Sequence, residues 1–321
     1  MPKINKTIGV LMGGFSSERE ISLKSGTAVC QALKIVYEKV IIFDFKTEQE
    51  LVDKLKSTKV DCIFNALHGR FGEDGQVQKI LDDLHISYTG SGALASCQAM
   101  NKVAAHEIFQ QTGLPVPEHQ VFNKNIDQSQ GGYADFPLVV KPAMEGSSIG
   151  LSIVENPQEL FLALKQVLLL DQDILIEKYI EGREITIGIL DDKPLPVIEV
   201  VPRNKFYDFQ AKYTVGMTEY IIPAQFPSDL IEHVQDMALK AHRALGCCCF
   251  SRVDIIIDKD NNPFILEVNT IPGLTDTSLL PKAAKAVGIE FLELCKIMID
   301  GADKISLHKK EVFLVKEGPE E

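Results

Sequence analysis

Two runs of β-branched and aromatic residues, 253–257 and 264–268, flank the pair Asp260-Asn261 and constrain the fold of this chain more than any other segment. Val, Ile and Phe favour strands and Asp-Asn favours a tight turn, so the segment reads as a β-hairpin. With Asp260 and Asn261 as the two turn residues, antiparallel pairing places Asp254 opposite Glu267. Alternation then puts Val253, Ile255, Ile257, Phe264, Leu266 and Val268 on one face and Arg252, Asp254, Glu267 and Asn269 on the other. Carboxylates directly across a ladder have Cβ atoms roughly 4.5–5.5 Å apart and repel, so a cation belongs nearby. Two readings stay open. Either Arg252 simply neutralises Asp254 on a wet face, or two carboxylates and an amide hold a divalent ion, for which all-oxygen ligands suit Mg²⁺ or Mn²⁺ better than Zn²⁺.

Upstream, strand-like residues 8–12 run into Gly13-Gly14, and Ser17 to Glu20 carry the capping-box pattern of a helix start. Further strands are expected at 40–45 and 62–67 with a helical stretch around 51–55 between them, giving an α/β unit with parallel strands up to about residue 90. In such a unit ligands bind at the carboxyl ends of strands, here Gly13-Gly14 and His68-Gly69. A helix is expected over 93–111, ended by Gly113, Pro115 and Pro117. Strands at 136–142, 151–154 and 173–180, a helix at 160–170, strands at 184–190 and 196–201, and helices at 228–245 and 288–299 complete the reading. Residues 203–220 look like a mobile lid.

Several polar residues fall where chemistry could occur. Lys141 ends a strand and precedes Gly146-Ser147-Ser148, a loop that could be an ordinary turn or could cover phosphates with backbone N–H groups and hydroxyls. The spaced dinucleotide fingerprint and the Walker pattern are both absent. Glu177 lies within an apolar strand, and His68 opens a polar loop running through Glu73 to Gly75. Glu18 could bind an ammonium group or serve the helix dipole.

A formal net charge of −12 argues against general binding to nucleic acid or to anionic membranes. The apolar run at 8–12 is too short for a leader or a membrane span, so a cytoplasmic protein is expected. Seven cysteines, odd in number and including Cys247, Cys248 and Cys249 in succession, suggest reduced, mostly buried packing residues, with the trio on a strand.

Taken together, Gly13 to Ser22, His68 to Gly75, Lys141 to Gly150, Tyr207 to Tyr213, Arg252 to Asp254 and Glu267 to Thr275 resemble, in order, the signature blocks of the D-alanine:D-alanine ligase family of ATP-grasp enzymes. The resemblance implies an α/β chain with the ATP-grasp fold, in which an N-terminal Rossmann-like α/β domain (1–92) is followed by two α+β domains (93–181 and 182–306) enclosing the nucleotide, and by a charged tail (307–321). It implies ATP-dependent joining of two D-alanine molecules through a D-alanyl phosphate for peptidoglycan synthesis. A D-alanine:D-lactate ligase, another ATP-grasp ligase and a non-enzymatic amino-acid binder are the competing expectations.

Carried over residue by residue, Asp254, Glu267 and Asn269 would hold Mg²⁺ or Mn²⁺, two ions per site. Lys102, Lys141, Glu145, Ser147, Ser148, Lys212 and Asn269 would contact ATP, with Glu177, Lys178, Ile180 and Glu184 around its base and ribose. Glu18 would bind the first D-alanine, latched to Ser147 and Tyr213. His68, Lys212, Arg252, Gly273, Ser278 and Leu279 would surround the reacting carboxyl group and the second D-alanine, with Arg252 facing the acyl centre. Only small-molecule partners and a homodimer are implied. The family usually has glycine three residues before this arginine, where this chain has Cys249.

Overall fold

The structure, a computed structural model, describes residues 3–123, 135–203, 216–275 and 277–302. Three parallel strands, β1 (Ile4–Gly13), β2 (Tyr37–Phe45) and β3 (Cys62–Asn65), pair in the order β2-β1-β3. They carry α1 (Arg19–Val36), α2 (Glu48–Ser57) and α3 (Gln76–Asp83). The central strand is buried from Ile8 to its end, as expected where helices cover both faces. Its carboxyl end meets that of β3 where the strand order reverses, and Ser22 Oγ joins the two by accepting from Gly13 N (2.9 Å) and donating to Ala66 O (2.8 Å).

The capping box expected at Ser17 to Glu20 does not form. The helix starts at Arg19, with Glu18 in the N-cap position and no side-chain cap. Ser16 Oγ instead accepts from Glu18 N (3.2 Å) and donates to His68 O (2.7 Å), which leaves the Glu18 carboxylate for a distant partner.

The second sheet, antiparallel in the order β4-β7-β5-β6, comprises β4 (His119–Asn123), β5 (Leu138–Pro142), β6 (Ser152–Val154) and β7 (Asp173–Lys178). With α6 (Pro157–Val167) it encloses a small core of its own around Val140, Val154, Leu160, Ile174 and Ile176. The third sheet has β8 (Gly182–Leu190), β10 (Ile198–Pro202), β11 (Thr218–Ile221), β12 (Phe250–Asp258) and β13 (Pro263–Asn269) in the order β11-β10-β8-β12-β13, with β9 (Lys193–Pro194) paired to β8.

The expected single helix over 93–111 is two, α4 (Ala93–Met100) and α5 (Lys102–Gln111). Asn101 interrupts it in an extended conformation and caps the second helix, accepting from Val103 N and Ala104 N. This is the usual competition between an Asn side chain and the helical backbone. Both helices and the helix Ser228–Ala244 pack on the third sheet, where Ala99, Ala105, Phe109 and Val234 join Ile187, Val253 and Ile265 in one core. A further core joins the first sheet and α1 to the helix Leu279–Ala286 and to Met298. No helix among the described residues is long and apolar enough to cross a membrane.

The hairpin is β12-β13, and Asp254 does lie opposite Glu267. Its turn is one residue longer than expected. Asn261 takes φ +65°, Asp258 N bonds to Asn262 O (3.0 Å), and the Asp258 carboxylate accepts from Asp260 N and Asn262 N (both 2.8 Å). Between the pairs Asp254–Glu267 and Ile255–Ile265, Leu266 is bulged out. The bulge restores the expected acid pair but reverses the faces beyond it, so Ile265 and Pro263 are buried while Leu266 and Phe264 are only partly covered. The cysteine trio is also corrected: it forms the turn before β12, where Cys249 has φ +63°, a left-handed conformation suited to the glycine usual in the family.

Candidate active site

A cleft opens between the second and third sheets. Lys102, Lys141, Glu145, Ser148, Glu184, Asp254, Glu267 and Leu279 all line it. Glu73, Lys102, Gly146, Glu267 and Asn269 border an adjoining hollow.

The acids on the third sheet are already matched with donors. Arg252 grips Asp254 with Nε (2.9 Å) and Nη2 (2.7 Å), Thr186 Oγ1 donates to Asp254 Oδ1 (2.6 Å), and Asn269 Nδ2 donates to Asp254 Oδ2 (3.1 Å). Lys102 Nζ stands 3.6 Å from Glu267 Oε2 and donates to the carbonyl of Glu145 (2.7 Å). Thus Arg252 neutralises Asp254, the simpler of the two sequence readings. Among the described residues no three His, Cys, Asp or Glu side chains are grouped to hold a metal, so any cation here relies on two carboxylates, an amide oxygen and exogenous oxygens.

On the second sheet, Val139 pairs with Glu177 and Lys141 with Leu175, making Lys141 and Glu177 diagonal neighbours on one face. Their side chains meet at 2.8 Å, 8% and 3% exposed. His106 lies behind them with Nε2 3.6 Å from Glu177 Oε1, and burial drives its pKa down to about 3, with the Lys141 charge acting in the same direction. Glu177 Oε1 and His106 Nδ1 have no hydrogen-bond partner among the described residues. Lys178 is exposed at the end of β7 and Ile180 is half-buried on the connection to β8, both outside the cleft lining.

The Gly-Ser loop spans to the first unit. Ser147 Oγ donates to Glu18 Oε2 (2.6 Å), and Glu18 is only 8% exposed. A Cβ at Gly146 would lie 2.8 Å from Glu18 Oε1, so any larger residue there would push this carboxylate from its place. Beneath it, His68 Nδ1 is 3.1 Å from Glu73 Oε1 and Nε2 is 3.0 Å from Ser25 Oγ, which accepts from Leu274 N (3.2 Å). Burial pushes the Glu73 carboxyl up against the opposing pull of His68, Glu18 adds to the push, and Arg252 opposes it. Glu73 therefore stands within electrostatic reach of both Glu18 and Arg252, which come from opposite ends of the chain. Ser278 Oγ accepts from Thr275 N (3.0 Å) and closes the loop after Gly273. Lys212 and Tyr213 lie outside the described residues.

Sequence reasoning missed a role for Glu73, although it noted that loop, and missed Thr186 and Ser25 altogether. Glu184 and Thr186 alternate along β8 opposite Ile256 and Asp254, a signal readable only once β8 is known to pair with β12.

Two antiparallel sheets flanking a cleft with facing lysines and paired acids, beside a parallel α/β unit, define an ATP-grasp enzyme. Family models described as "D-ala D-ala ligase N-terminus" and "D-ala D-ala ligase C-terminus" match residues 44–91 and 108–300. The chain is 49% identical over 298 residues to a D-alanine--D-alanine ligase of Syntrophotalea carbinolica, covering 92% of this chain and 96% of that one. It is 48% identical to that of Geotalea uraniireducens over 304 residues, covering 94% and 97%. Among solved structures, the Bacillus anthracis ligase complexed with ATP superposes with TM-score 0.85 at 35% identity, covering 95% of this chain and 99% of that one. The Coxiella burnetii ligase gives TM-score 0.85 at 25% identity, covering 98% of each chain. The chain belongs to the D-alanine--D-alanine ligase family.

Proposed function

We propose that this enzyme joins two D-alanine molecules into D-alanyl-D-alanine at the expense of ATP, supplying peptidoglycan precursors in the cytoplasm. The observation that carries this reading is that Lys102, Lys141, Asp254 and Glu267 line one cleft, while Glu73 of the first unit borders the adjoining hollow with Lys102 and Glu267, and Glu18 meets Ser147 of the Gly-Ser loop. In the first step a carboxylate oxygen of D-alanine attacks the γ-phosphorus and ADP leaves. In the second, the amine of another D-alanine attacks the acyl carbon, inorganic phosphate leaves, and the nitrogen loses a proton. Phosphoryl transfer depends mainly on positioning and charge neutralisation, which Lys102 and Lys141 of the cleft lining would supply.

Glu18 would hold the ammonium of the first D-alanine beneath the Gly-Ser loop, and His68, Arg252, Gly273, Ser278 and Leu279 would surround the reacting carboxyl group. The unpaired Glu177 Oε1 beside Lys141 suits an N–H donor such as a nucleotide base provides. Lys178, Ile180, Glu184, Ser148 and Glu145 complete the nucleotide reading. The hard oxygen donors Asp254, Glu267 and Asn269 fit Mg²⁺ or Mn²⁺, which would supply charge neutralisation at the phosphates. Its entry would compete with the present pairing of Arg252 to Asp254 and of Lys102 to Glu267.

Asp254→Asn or Glu267→Gln is expected to abolish D-alanine-dependent phosphate release. Wild-type-like release in either variant would overturn the metal assignment. Offering D-alanine and D-lactate as second substrates to the unmodified enzyme, with mass analysis of the product, separates dipeptide from depsipeptide formation. ATP turnover dependent on D-alanine excludes a mere binder.

A further inference from the structure

The loop between β3 and α3 bends in left-handed conformation at Gly69 (φ +73°) and Phe71 (φ +72°), and again at Gly75 (φ +93°) where α3 begins. For glycine that is ordinary, whereas a bulky aromatic there is a true outlier needing support from its surroundings. Phe71 has that support: Phe71 N donates to Asp74 Oδ2 (2.8 Å), and its ring packs on Phe15 and Phe45 at centroid distances of 4.9 and 5.8 Å. Arg70, held between the first two bends, projects out of the first unit. Its Nη2 reaches Glu145 Oε1 (2.9 Å) and the carbonyl oxygen of Leu170 (3.4 Å).

Both partners belong to the unit of the second sheet. Glu145 opens the Gly-Ser loop, and Leu170, beyond α6, packs its side chain 2.7 Å from where a Cβ on Gly150 would lie. Arg70 therefore bridges the two ends of this loop's surroundings from across the cleft. Because the second sheet has a core of its own, its seating over the first unit depends on crossing polar contacts such as this one and Ser147–Glu18. The pair is asymmetric in exposure, 49% for Arg70 and 16% for Glu145, so the acid is preset inside the loop and the arginine comes to it from solvent.

We infer that Arg70 is a positioning residue, an electrostatic latch that holds the Gly-Ser loop 145–150 down over Glu18 by pairing with Glu145 and the Leu170 carbonyl. What the latch encloses, the first D-alanine and the phosphates, rests on the function proposed above. The latch itself does not.

Two measurements test it. In ligand-free protein, Arg70→Ala should raise amide exchange across 145–150 about fivefold, the scale of one partly exposed ion pair, and Arg70→Lys should recover most of the protection. In turnover, Arg70→Ala should raise KM for D-alanine about fivefold with kcat within about twofold, and Arg70→Lys should bring KM back towards wild type. Raising salt from about 0.05 to about 0.5 M should lift the wild-type KM towards that of Arg70→Ala while leaving the variant unchanged. Equal exchange at 145–150 in wild type and Arg70→Ala overturns the latch whatever the activity. An unchanged KM in an active Arg70→Ala enzyme overturns it too. A wild-type protein that forms no dipeptide instead defeats the functional reading, and the exchange comparison still decides the latch.

Discussion

Lys141→Met should destabilise the ligand-free protein by about 3–5 kcal/mol, because it strands the Glu177 carboxylate in the interior. The magnitude follows from the surroundings. At 2.8 Å and an effective dielectric of about 20, the two charges attract by about 6 kcal/mol, and part of that offsets the cost of taking both out of water. Among the described residues no other cation pairs with Glu177. His106 is 3.6 Å away, but burial keeps its imidazole neutral, with a pKa of about 3, and among the described residues Glu177 Oε1 has no hydrogen-bond donor. Glu177→Gln should cost a comparable amount, by stranding the ammonium. The double variant Lys141→Met/Glu177→Gln strands neither charge and should lie within about 2 kcal/mol of wild type. Urea denaturation of the four proteins, with slopes compared to verify a common unfolding reaction, gives the coupling energy directly. Coupling below about 1 kcal/mol, or a double variant as unstable as the two single losses added together, would refute the reasoning that pairing alone makes this buried charge tolerable.

Two further outcomes follow from packing and burial elsewhere. His242 is buried with Nδ1 2.7 Å from Ser251 Oγ, and burial lowers its pKa from 6.5 to about 4. Its unfolded form takes up a proton more readily, so its contribution is complete above about pH 6.5 and is lost as pH falls towards 4. His242→Asn should flatten that part of the stability-pH curve measured by urea midpoint, and an unchanged slope would refute the assignment. Gly301→Ala places a Cβ 2.6 Å from Cys249 Sγ and 3.1 Å from its Cβ, so thermal unfolding should register a loss of about 1–3 kcal/mol from overpacking. Adding Cys249→Gly, which removes the opposing atoms and suits φ +63°, should recover most of it; no recovery would place the strain elsewhere.

Much of the fold was legible because period-2 and period-3.6 patterns survive in the sequence, and the parallel first sheet and the hairpin both follow from them. The hairpin also marks the limit of such reasoning. Counting inward from a two-residue turn gives the Asp254–Glu267 pair, yet the actual turn is longer and a bulge at Leu266 compensates for it. Two local deviations cancel at the functional pair and leave their trace in the misassigned faces of Phe264 and Leu266. Neither leaves a pattern in composition, since a bulge is set by what the neighbouring elements need: here the Leu266 carbonyl turns towards His106 Nε2 (3.3 Å) and its side chain towards the cleft. The site residues found by motif are those whose type is unusual for their element, such as Glu177 in an apolar strand. Those missed, Thr186, Ser25 and Glu73, are ordinary in type and gain a role only through partners 68, 43 and 5 residues away.

The partners also bear on why a chain of net charge −12 can bind a polyanion in this cleft. Acids of the cleft already have cationic partners: Asp254 with Arg252, Glu267 with Lys102, Glu177 with Lys141 and Glu145 with Arg70. Left alone, the four cations would repel one another and the four acids would repel a triphosphate; paired, they form a cleft with little net charge to oppose either ligand. On the proposed function, a divalent ion would take over Asp254 and Glu267, and the phosphates would take over Lys102 and Lys141, so binding is an exchange of partners and adds little uncompensated charge to the interior. The pairs that would exchange are Arg252–Asp254, Lys102–Glu267 and Lys141–Glu177, at 2.7, 3.6 and 2.8 Å. By the same logic Arg70–Glu145, at the rim and 49% exposed on the arginine side, need not exchange at all, and can remain closed while the charges below it change hands.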